Sequence, residues 1–270
     1  MNVFAGVDTG SVATKAVILS DGHILGHSII PTVVSSEKSG LRALEQALAQ
    51  AGLKREDLAY ILATGYGRIS ASYAQGTLTE IGCHAKGVHF SNPEVHTVID
   101  MGGQDCKVIK IGEWGEVDDF VMNDKCAAGT GRFFEVLAKA FDVTLDDLGP
   151  MSLNAEKRVT ISSTCTVFAE SEVISLMARG EVPENIINGI HFSLARRTTG
   201  LVNRVGLAKE VAMSGGVAKN PGMRALIEEL LEAKLSPLAI DPQLVGALGA
   251  ALFAKERAAA REKKALAAAH

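Results

Sequence analysis

The stretch DTGSVATK, residues 8–15, follows an apolar segment and recurs in related form as DMGGQDCK, residues 100–107. An aspartate, a glycine and a lysine recur in both stretches with equal spacing: Asp8, Gly10, Lys15, Asp100, Gly102 and Lys107. Each stretch is followed by a second apolar segment, a turn signal and a third apolar segment, which is the pattern of strands joined by hairpins. A unit repeated in this way predicts a chain built from two related halves.

The segments around the repeat predict an α/β fold. Predicted strands cover residues 3–7, 16–19, 24–30, 59–62, 98–100, 108–111, a stretch ending at 121, 211–213 and a short piece near 238–240. Predicted helices carry residues 41–51, 133–141, 173–177, 186–205, 223–231 and 242–255, the last an Ala/Gly-rich helix suited to close packing between domains. We assign residues 1–95 with about 245–270 to the first half and residues 96–244 to the second.

The composition argues against nucleic-acid-binding and membrane proteins. The 270 residues are 47% hydrophobic and 21% charged, with a net charge of -4, which gives no electrostatic case for binding nucleic acid or an anionic membrane. No apolar run is long enough to span a bilayer, and the first residues lack the regions of a signal peptide. We therefore expect a cytoplasmic protein whose four cysteines are reduced unless they bind metal or do redox chemistry.

The repeated stretches have the chemistry of phosphate loops. Glycines after a strand allow backbone N–H groups to approach phosphate, and a carboxylate at the strand end can hold Mg²⁺, usually through water. One copy alone is explained equally well by a hairpin with a glycine-rich bend, but two matched copies favour two loops that clamp one nucleotide. Asp8 and Asp100 are the candidates for Mg²⁺ or water, the alternative being that they cap their loops.

A third glycine-rich stretch, SGGVAKN at residues 214–220, lies between a predicted strand and a predicted helix and could seat a nucleoside against its backbone. The candidate nucleotide-binding residues come from all three stretches: Thr9, Gly10, Ser11, Thr14, Lys15, Gly102, Gly103, Gln104, Asp105, Lys107, Gly215, Gly216, Val217, Ala218 and Asn220.

Two cysteines stand where helices are predicted to begin. Cys126 follows Asn123 and Asp124, which are suited to an N-cap, and Cys165 follows a Ser/Thr cluster. The positive end of a helix favours the thiolate, which is the form that binds metal. Two thiols cannot complete a four-cysteine site, whereas two chains could supply four. Judged on the residues alone, a small buried thiol explains Cys126 better, because no CxxC spacing is present.

Several motifs together resemble a known family. DTGSVATK, DMGGQDCK and SGGVAKN resemble the first phosphate, second phosphate and adenosine motifs of the superfamily of actin, sugar kinases and heat-shock chaperone ATPases. Within it, NDKCAAGTGRF at 123–133, SSTCTVFAESEVIS at 162–175 and ATGYGR at 63–68 resemble the activators (component A) of 2-hydroxyacyl-CoA dehydratases, ATPases of the BadF/BadG/BcrA/BcrD type. The resemblance covers nearly the whole chain, and its two cysteine motifs are highly specific.

The resemblance implies two ribonuclease-H-like halves of the actin-like ATPase fold, with ATP or ADP and Mg²⁺ in a cleft between them. It implies an oxygen-sensitive homodimer with one [4Fe-4S] cluster, held by Cys126 and Cys165 of each subunit. Gln104 would then join Asp8 and Asp100 as a catalytic residue by orienting the attacking water. Gly129 and Gly131 would let the Cys126 segment approach the nucleotide, although a turn at a helix start also explains them.

The implied activity is ATP-dependent transfer of one low-potential electron to an iron–sulfur acyl-CoA dehydratase or a related reductase component. Ferredoxin or flavodoxin would be the electron source, and a benzoyl-CoA reductase or a double-cubane cluster protein is an alternative partner. Two other classes stay open at this point. One is a small-molecule kinase of the same fold, which the lack of insertions for a sugar pocket disfavours, and the other is a nucleotide switch that regulates a partner.

Overall fold

The computed structural model describes residues 2–123, 130–161 and 166–268, of which 166–170 and 268 are described in backbone only. The strands and helices follow in chain order: β1 (Val3–Thr9), β2 (Ala13–Ser20), β3 (His23–Pro31), α1 (Ser36–Ala51), β4 (Leu58–Thr64), β5 (Gly76–Thr77), α2 (Glu80–Ser91), β6 (Thr97–Met101), β7 (Cys106–Ile111), β8 (Val117–Asn123), α3 (Gly131–Phe141), α4 (Leu145–Leu153), α5 (Thr166–Ala178), α6 (Pro183–Val205), β9 (Val211–Ser214), α7 (Pro221–Leu231) and α8 (Val245–Ala268). Within the described part of the chain, no helix is long and apolar enough to cross a membrane.

The first of two compact units contains Met1–Pro93, Gly112–Val117 and Leu238–His270. Its sheet has the strand order β3-β2-β1-β4-β5, with β1 antiparallel to β2 and parallel to β4. All seven residues of β1 are buried, because α1 packs on one face of the sheet and α8 on the other. A strand covered on both faces is apolar throughout rather than alternating, which is what residues 3–7 show.

Small residues bring α8 close to the sheet. A Cβ on Gly6 would collide with the Ala247 carbonyl oxygen, so the helix lies directly on β1 at this point. The same helix packs against α2, where a Cβ on Gly249 would collide with the Cys83 backbone. The close packing predicted for residues 242–255 is therefore present inside the first unit. Packing of this helix between domains stays a prediction.

The second unit contains Glu94–Ile111 and Asp118–Pro237. Its sheet has the strand order β8-β7-β6-β9, with β6 antiparallel to β7 and parallel to β9. Apolar side chains of β6, α3, α6 and α7 form its core, among them Ile99, Phe133, Leu137, Ile190 and Leu226. α6 packs against both α4 and α7, so the long helix connects the layers of this unit.

The two sheets share one plan. β1, β2, β3 and β4 correspond to β6, β7, β8 and β9 in order, and the two central pairings match in direction. The predicted duplication of an α/β unit is thereby confirmed. The division of residues 1–95 with about 245–270 from residues 96–244 as functional halves stays a prediction.

Two local predictions differ from the structure, and one helix was not predicted. Asn123 ends β8, and α3 begins at Gly131 with Thr130 as its extended N-cap, so the predicted helix start at Cys126 was too early. The predicted strand near 238–240 is not formed; Leu235 instead makes an isolated parallel bridge to Val211. α4 was not predicted, because Gly149 and Pro150 in its middle are residues that usually interrupt helices.

Candidate nucleotide site

The first loop, residues 8–15, presents a carboxylate paired with a lysine. Asp8 and Lys15 are directly opposed in the antiparallel pair of β1 and β2, and Lys15 Nζ donates to Asp8 Oδ2 over 3.1 Å. Gly10 N–H donates to the Ala13 carbonyl over 3.1 Å and closes the turn between the strands. Since Asp8 is buried, the lysine offsets part of the cost of removing this charge from water.

Residues 65–68 follow β4, and Gly65 lies against the same carboxylate. Gly65 has φ +80° and ψ -176°, and a Cβ there would collide with Asp8 Oδ1. Arg68 donates from Nη1 to the Gly65 carbonyl over 2.9 Å and pairs with Glu80 over 3.1 Å. Gly65 is thus part of the site, although the sequence analysis quoted it only within the motif ATGYGR and gave it no role. Its signal in the sequence is that it comes shortly after a predicted strand, as Gly215 does.

The second loop, residues 100–107, repeats this arrangement with one more acid. Asp100 lies opposite Lys107, whose Nζ is 3.3 Å from Asp100 Oδ2 and 2.7 Å from Asp105 Oδ2. All three side chains are at most 5% exposed. The contact with Asp105 is an ion pair, and Asp105 Oδ2 has no hydrogen-bond partner in the described residues. Two carboxylates facing one ammonium leave a local excess of negative charge.

The third loop, residues 214–220, closes over the second. Ser214 Oγ donates to Asp100 Oδ1 over 2.9 Å. Gly215 has φ +84° and ψ 178°, and a Cβ there would collide with the Met101 carbonyl and lie 2.9 Å from Asp100 Oδ1. Val217 and Ala218 are buried in the turn that follows, and Asn220 caps α7 by accepting the Met223 N–H over 2.9 Å. Gly215 therefore holds the position that Gly65 holds in the first unit.

Helix α3 starts on the second loop. Gly131 N–H donates to the Gly102 carbonyl over 2.8 Å, and Arg132 N–H donates to the Gly103 carbonyl over 2.9 Å. These donors belong to the first turn of the helix, where N–H groups have no partner inside the helix itself. The loop carbonyls thus cap the helix, and any shift of the loop backbone changes the position of this helix end.

Comparison with known proteins identifies the family. The model of the BadF/BadG/BcrA/BcrD ATPase family matches residues 5–254. The chain belongs to this ATPase family. The resemblance noted from the motifs and the prediction of an ATPase are both confirmed by this membership.

Relatives within the BadF/BadG/BcrA/BcrD ATPase family are similar along almost their full length. The (R)-2-hydroxyglutaryl-CoA dehydratase activating ATPase of Acidaminococcus fermentans is 51% identical over 257 residues, covering 94% of this chain and 97% of the relative. The activator of lactoyl-CoA dehydratase of Anaerotignum propionicum is 48% identical over 253 residues, with the same coverage.

Solved structures agree with this placement. The activator of 2-hydroxyisocaproyl-CoA dehydratase from Clostridium difficile, with bound ADPNP, is 45% identical, has a TM-score of 0.91 and covers 97% of each chain. A ROK family glucokinase from Streptomyces griseus, 13% identical with a TM-score of 0.57, covers 94% of this chain and 100% of its own. This second likeness shows the fold alone, and it agrees with the predicted actin-like ATPase fold.

The remaining candidate residues of this family member differ in accessibility. Thr14 is fully buried and its hydroxyl pairs with that of Thr32 over 2.8 Å, so its side chain has a contact inside the protein. Gln104 is exposed at the tip of the second loop, and Ser11 is partly exposed in the first. Thr9 is buried beside Gly67, where a Cβ would lie 2.8 Å from the Thr9 Cβ. Gly103 and Gly216 lie in the second and third loops.

The cysteines of this family member fall into two groups. Cys83 and Cys106 are buried, and burial raises the pKa of each thiol to about 12, so both stay protonated and are poor metal ligands. Cys126, Cys165 and Gly129 lie outside the described residues. α5 covers Thr166–Ala178 in the described residues, so the helix predicted to follow Cys165 is present. In the described residues, no group of three or more metal-binding side chains is present.

Proposed function

We propose that this ATPase is a low-potential electron donor, which transfers one electron to an iron–sulfur partner such as a 2-hydroxyacyl-CoA dehydratase while hydrolysing ATP. The contact that carries the proposal is the pair of hydrogen bonds from Gly131 and Arg132 to the carbonyls of Gly102 and Gly103. It ties the phosphate loop to the helix that follows the Cys126 segment.

The loops supply groups that fit ATP and Mg²⁺. Carboxylate oxygens are the ligands that Mg²⁺ prefers, and Asp105 Oδ2 is a buried oxygen with spare acceptor capacity beside Asp100. Gly102 and Gly103 keep the second loop free of side chains where phosphate would approach, and Lys107 supplies positive charge. Asp8 and Asp100 would bind the metal or its water, and the exposed Gln104 would orient the attacking water.

The nucleotide can shift this protein between two arrangements only if it binds one of them more tightly. The loop carbonyls that accept from α3 belong to the residues that would contact phosphate. A different loop conformation with ATP and with ADP would therefore place the start of α3 differently. This is the physical link between hydrolysis and the region of Cys126.

The cysteine inventory fits one shared cluster. Cys83 and Cys106 are buried thiols, which leaves Cys126 and Cys165 as the available ligands. A [4Fe-4S] cluster needs four thiolates and supplies one-electron chemistry at a potential set by its surroundings. We propose, as the family resemblance implies, that a homodimer holds one cluster with two cysteines from each chain. The N-terminus of α5 after Cys165 supplies backbone N–H groups and a positive dipole end that favour the thiolate.

The partner is proposed at the level of a class. The relatives are named for the dehydratases of three different acyl-CoA substrates, so the substrate belongs to the partner enzyme rather than to this chain. An acyl-CoA dehydratase is the first candidate, with a benzoyl-CoA reductase or a double-cubane cluster protein next. Ferredoxin or flavodoxin is the proposed electron source.

The test is the iron and acid-labile sulfide content of anaerobically purified protein, with spectra before and after dithionite. We expect about four irons per dimer and bleaching on reduction. Cys126→Ser and Cys165→Ser should each lose the cluster while still binding ATP. Cys83→Ala, which changes a buried cysteine in the first unit, should keep the full iron content.

The same experiment can overturn the proposal. A normal cluster in either serine variant would remove that cysteine from the ligand set. Absence of iron after strict anaerobic reconstitution would leave an ATPase without redox chemistry. In that case ATP consumption stimulated by a metabolite would establish a kinase, and ATP-dependent partner binding that survives loss of both cysteines would establish a switch.

A further inference from the structure

His191 is a buried histidine that the sequence did not single out. It lies in α6, has no exposed surface, and stacks on Phe134 of α3 with ring centroids 5.1 Å apart and planes inclined by 29°. Its Nε2 is 3.2 Å from Nδ2 of Asn220, the last residue of the third loop. One imidazole therefore contacts both the third loop and α3, the helix that starts on the second loop.

The contact with Asn220 fixes the tautomer of His191. Asn220 Oδ1 accepts the Met223 N–H as the N-cap of α7, so its amide nitrogen is the group that faces the imidazole. The amide nitrogen can only donate, so Nε2 must accept and the ring proton must be on Nδ1. Burial lowers the pKa of His191 to about 3, which keeps the ring neutral as this bond requires.

Nδ1 has no hydrogen-bond partner in the described residues. A buried N–H without an acceptor is costly, and an apolar side chain of similar size would avoid that cost. Simple core packing against Phe134 therefore does not account for a histidine here. The bond to Asn220 is the contact that an apolar side chain could not make.

The neighbouring helix reinforces the same connection. A Cβ on Gly149 of α4 would collide with Pro221 and lie 2.9 Å from Asn220 Oδ1, so α4 lies directly on the end of the third loop. α4 also packs against α3. The second loop thus holds the first turn of α3. The body of α3 packs against α4, which in turn lies on the end of the third loop.

We propose that His191 is a positioning residue that transmits the nucleotide-dependent state of the third loop to α3. The inference rests on the proposed function, because it assumes that movement of α3 matters for the Cys126 segment. The position of α3 would then depend on two loops. The second loop contacts the start of the helix, and the third loop acts on its body through Asn220, His191 and Phe134. Such coupling exists only if the third loop and α3 respond to the same conformational change.

The experiment is hydrogen–deuterium exchange on the anaerobically purified full chain, with and without saturating ADPNP. Peptides covering residues 131–141 report α3, and peptides covering 214–223 report the third loop. His191→Phe keeps a ring against Phe134 and removes the acceptor, whereas His191→Gln keeps an acceptor near the Nε2 position. Val202→Ala is the matched control, because Val202 is a fully buried residue of the same helix whose apolar side chain cannot hydrogen-bond to Asn220.

In the wild type, ADPNP should slow exchange in both regions. In His191→Phe the third loop should still respond, while the ADPNP-dependent change in α3 should fall about fivefold, the lower end of the range for coupling between sites. His191→Gln should retain most of the α3 response, and Val202→Ala should retain all of it. If His191→Phe does not fold, His191→Leu provides the same loss of the acceptor in a smaller side chain.

A wild-type α3 response in His191→Phe would overturn the inference, as would an equal loss in Val202→Ala or in His191→Gln. Iron content measured on the same samples separates the two proposals. Normal iron with no effect of His191 would reject the inference and leave the electron-donor function standing. Absence of iron from the wild type would reject that function instead.

Discussion

Gly215 shows how one missing side chain shapes the site at the scale of a residue. Its backbone has φ +84° and ψ 178°, a combination that is essentially confined to glycine. The space where a Cβ would stand is filled by the Met101 carbonyl, and Asp100 Oδ1 is 2.9 Å away. The glycine thus lets the third loop lie directly on Asp100, one of the two carboxylates proposed to bind Mg²⁺ or its water.

Gly215→Ala should abolish ATPase activity, because the new methyl group displaces either the third loop or Asp100. Gly206→Ala is the matched control: Gly206 lies in the same unit with φ +85° and nothing within 4 Å of its Cβ position. It carries only the backbone strain, about 1–3 kcal/mol of stability, and should keep its activity. ATP turnover and urea unfolding of the two variants check this. Equal activity in both would show that the contact with Asp100 is not needed.

His191 makes a second prediction at this scale, on pH. Its pKa is about 3 in the folded protein, below its ordinary value of 6.5, because burial disfavours the charged ring. The unfolded chain therefore binds the proton at a higher pH than the folded chain does. The free energy of unfolding has its full value above pH 6.5 and decreases as the pH falls towards 3. At pH 5 the loss is about 2 kcal/mol.

The measurement is the free energy of unfolding in urea at pH 7 and pH 5. His191→Gln cannot take up the proton and should lose about 2 kcal/mol less than the wild type between the two pH values. Val202→Ala, which removes no titratable group, should keep the wild-type pH dependence. A wild-type slope in His191→Gln would mean that the ring is already charged in the folded state or accessible to water.

At the scale of elements, the hairpins were predictable and some helix limits were not. Asp21 and Gly22 form the turn between β2 and β3, and apolar runs mark the strands, so local signals were enough there. The start of α3 was misplaced because Asn123 and Asp124 read as an N-cap, while Asn123 in fact extends β8. A local capping signal carries no information on whether the preceding strand continues.

Other elements depend on contacts between segments distant in sequence. α4 tolerates Gly149 in its middle because a side chain there would collide with Pro221, which the sequence of α4 alone cannot show. The role of Gly65 was hidden because its partner Asp8 comes from another strand. His191 has no motif at all, since Phe134 and Asn220 reach it from two other parts of the chain. The phosphate loops could be predicted because strand, loop and charged residues are consecutive.

For the whole molecule, the two units share a strand plan but differ in charge. In the first unit one ammonium, Lys15, faces Asp8. In the second, Lys107 faces both Asp100 and Asp105. The hydrogen bonds from α3 to the second loop also belong to the second unit. The duplicated fold has therefore diverged, and the second unit combines the denser acidic cluster with the helix proposed to respond to it.

This divergence predicts that replacing the equivalent lysines, Lys15 and Lys107, lowers the free energy of unfolding by different amounts. Lys107→Met leaves two buried carboxylates without their shared ammonium and should lower the free energy of unfolding by about 3–5 kcal/mol. Lys15→Met should lose less, because only one carboxylate is affected and the Lys15 side chain is 13% exposed, against 4% for Lys107. Lys234→Met breaks an exposed pair with Glu228 in the second unit and should cost about 0–1 kcal/mol.

Urea unfolding at pH 7 without nucleotide ranks the three lysine variants, and addition of Mg²⁺ sharpens the comparison. With Lys107 replaced, the two acids form a more negative site, so Mg²⁺ should restore more stability to Lys107→Met than to Lys15→Met. A loss in Lys107→Met as small as that in Lys234→Met would contradict the buried cluster. Equal recovery with Mg²⁺ in both loop variants would contradict the difference in charge between the units.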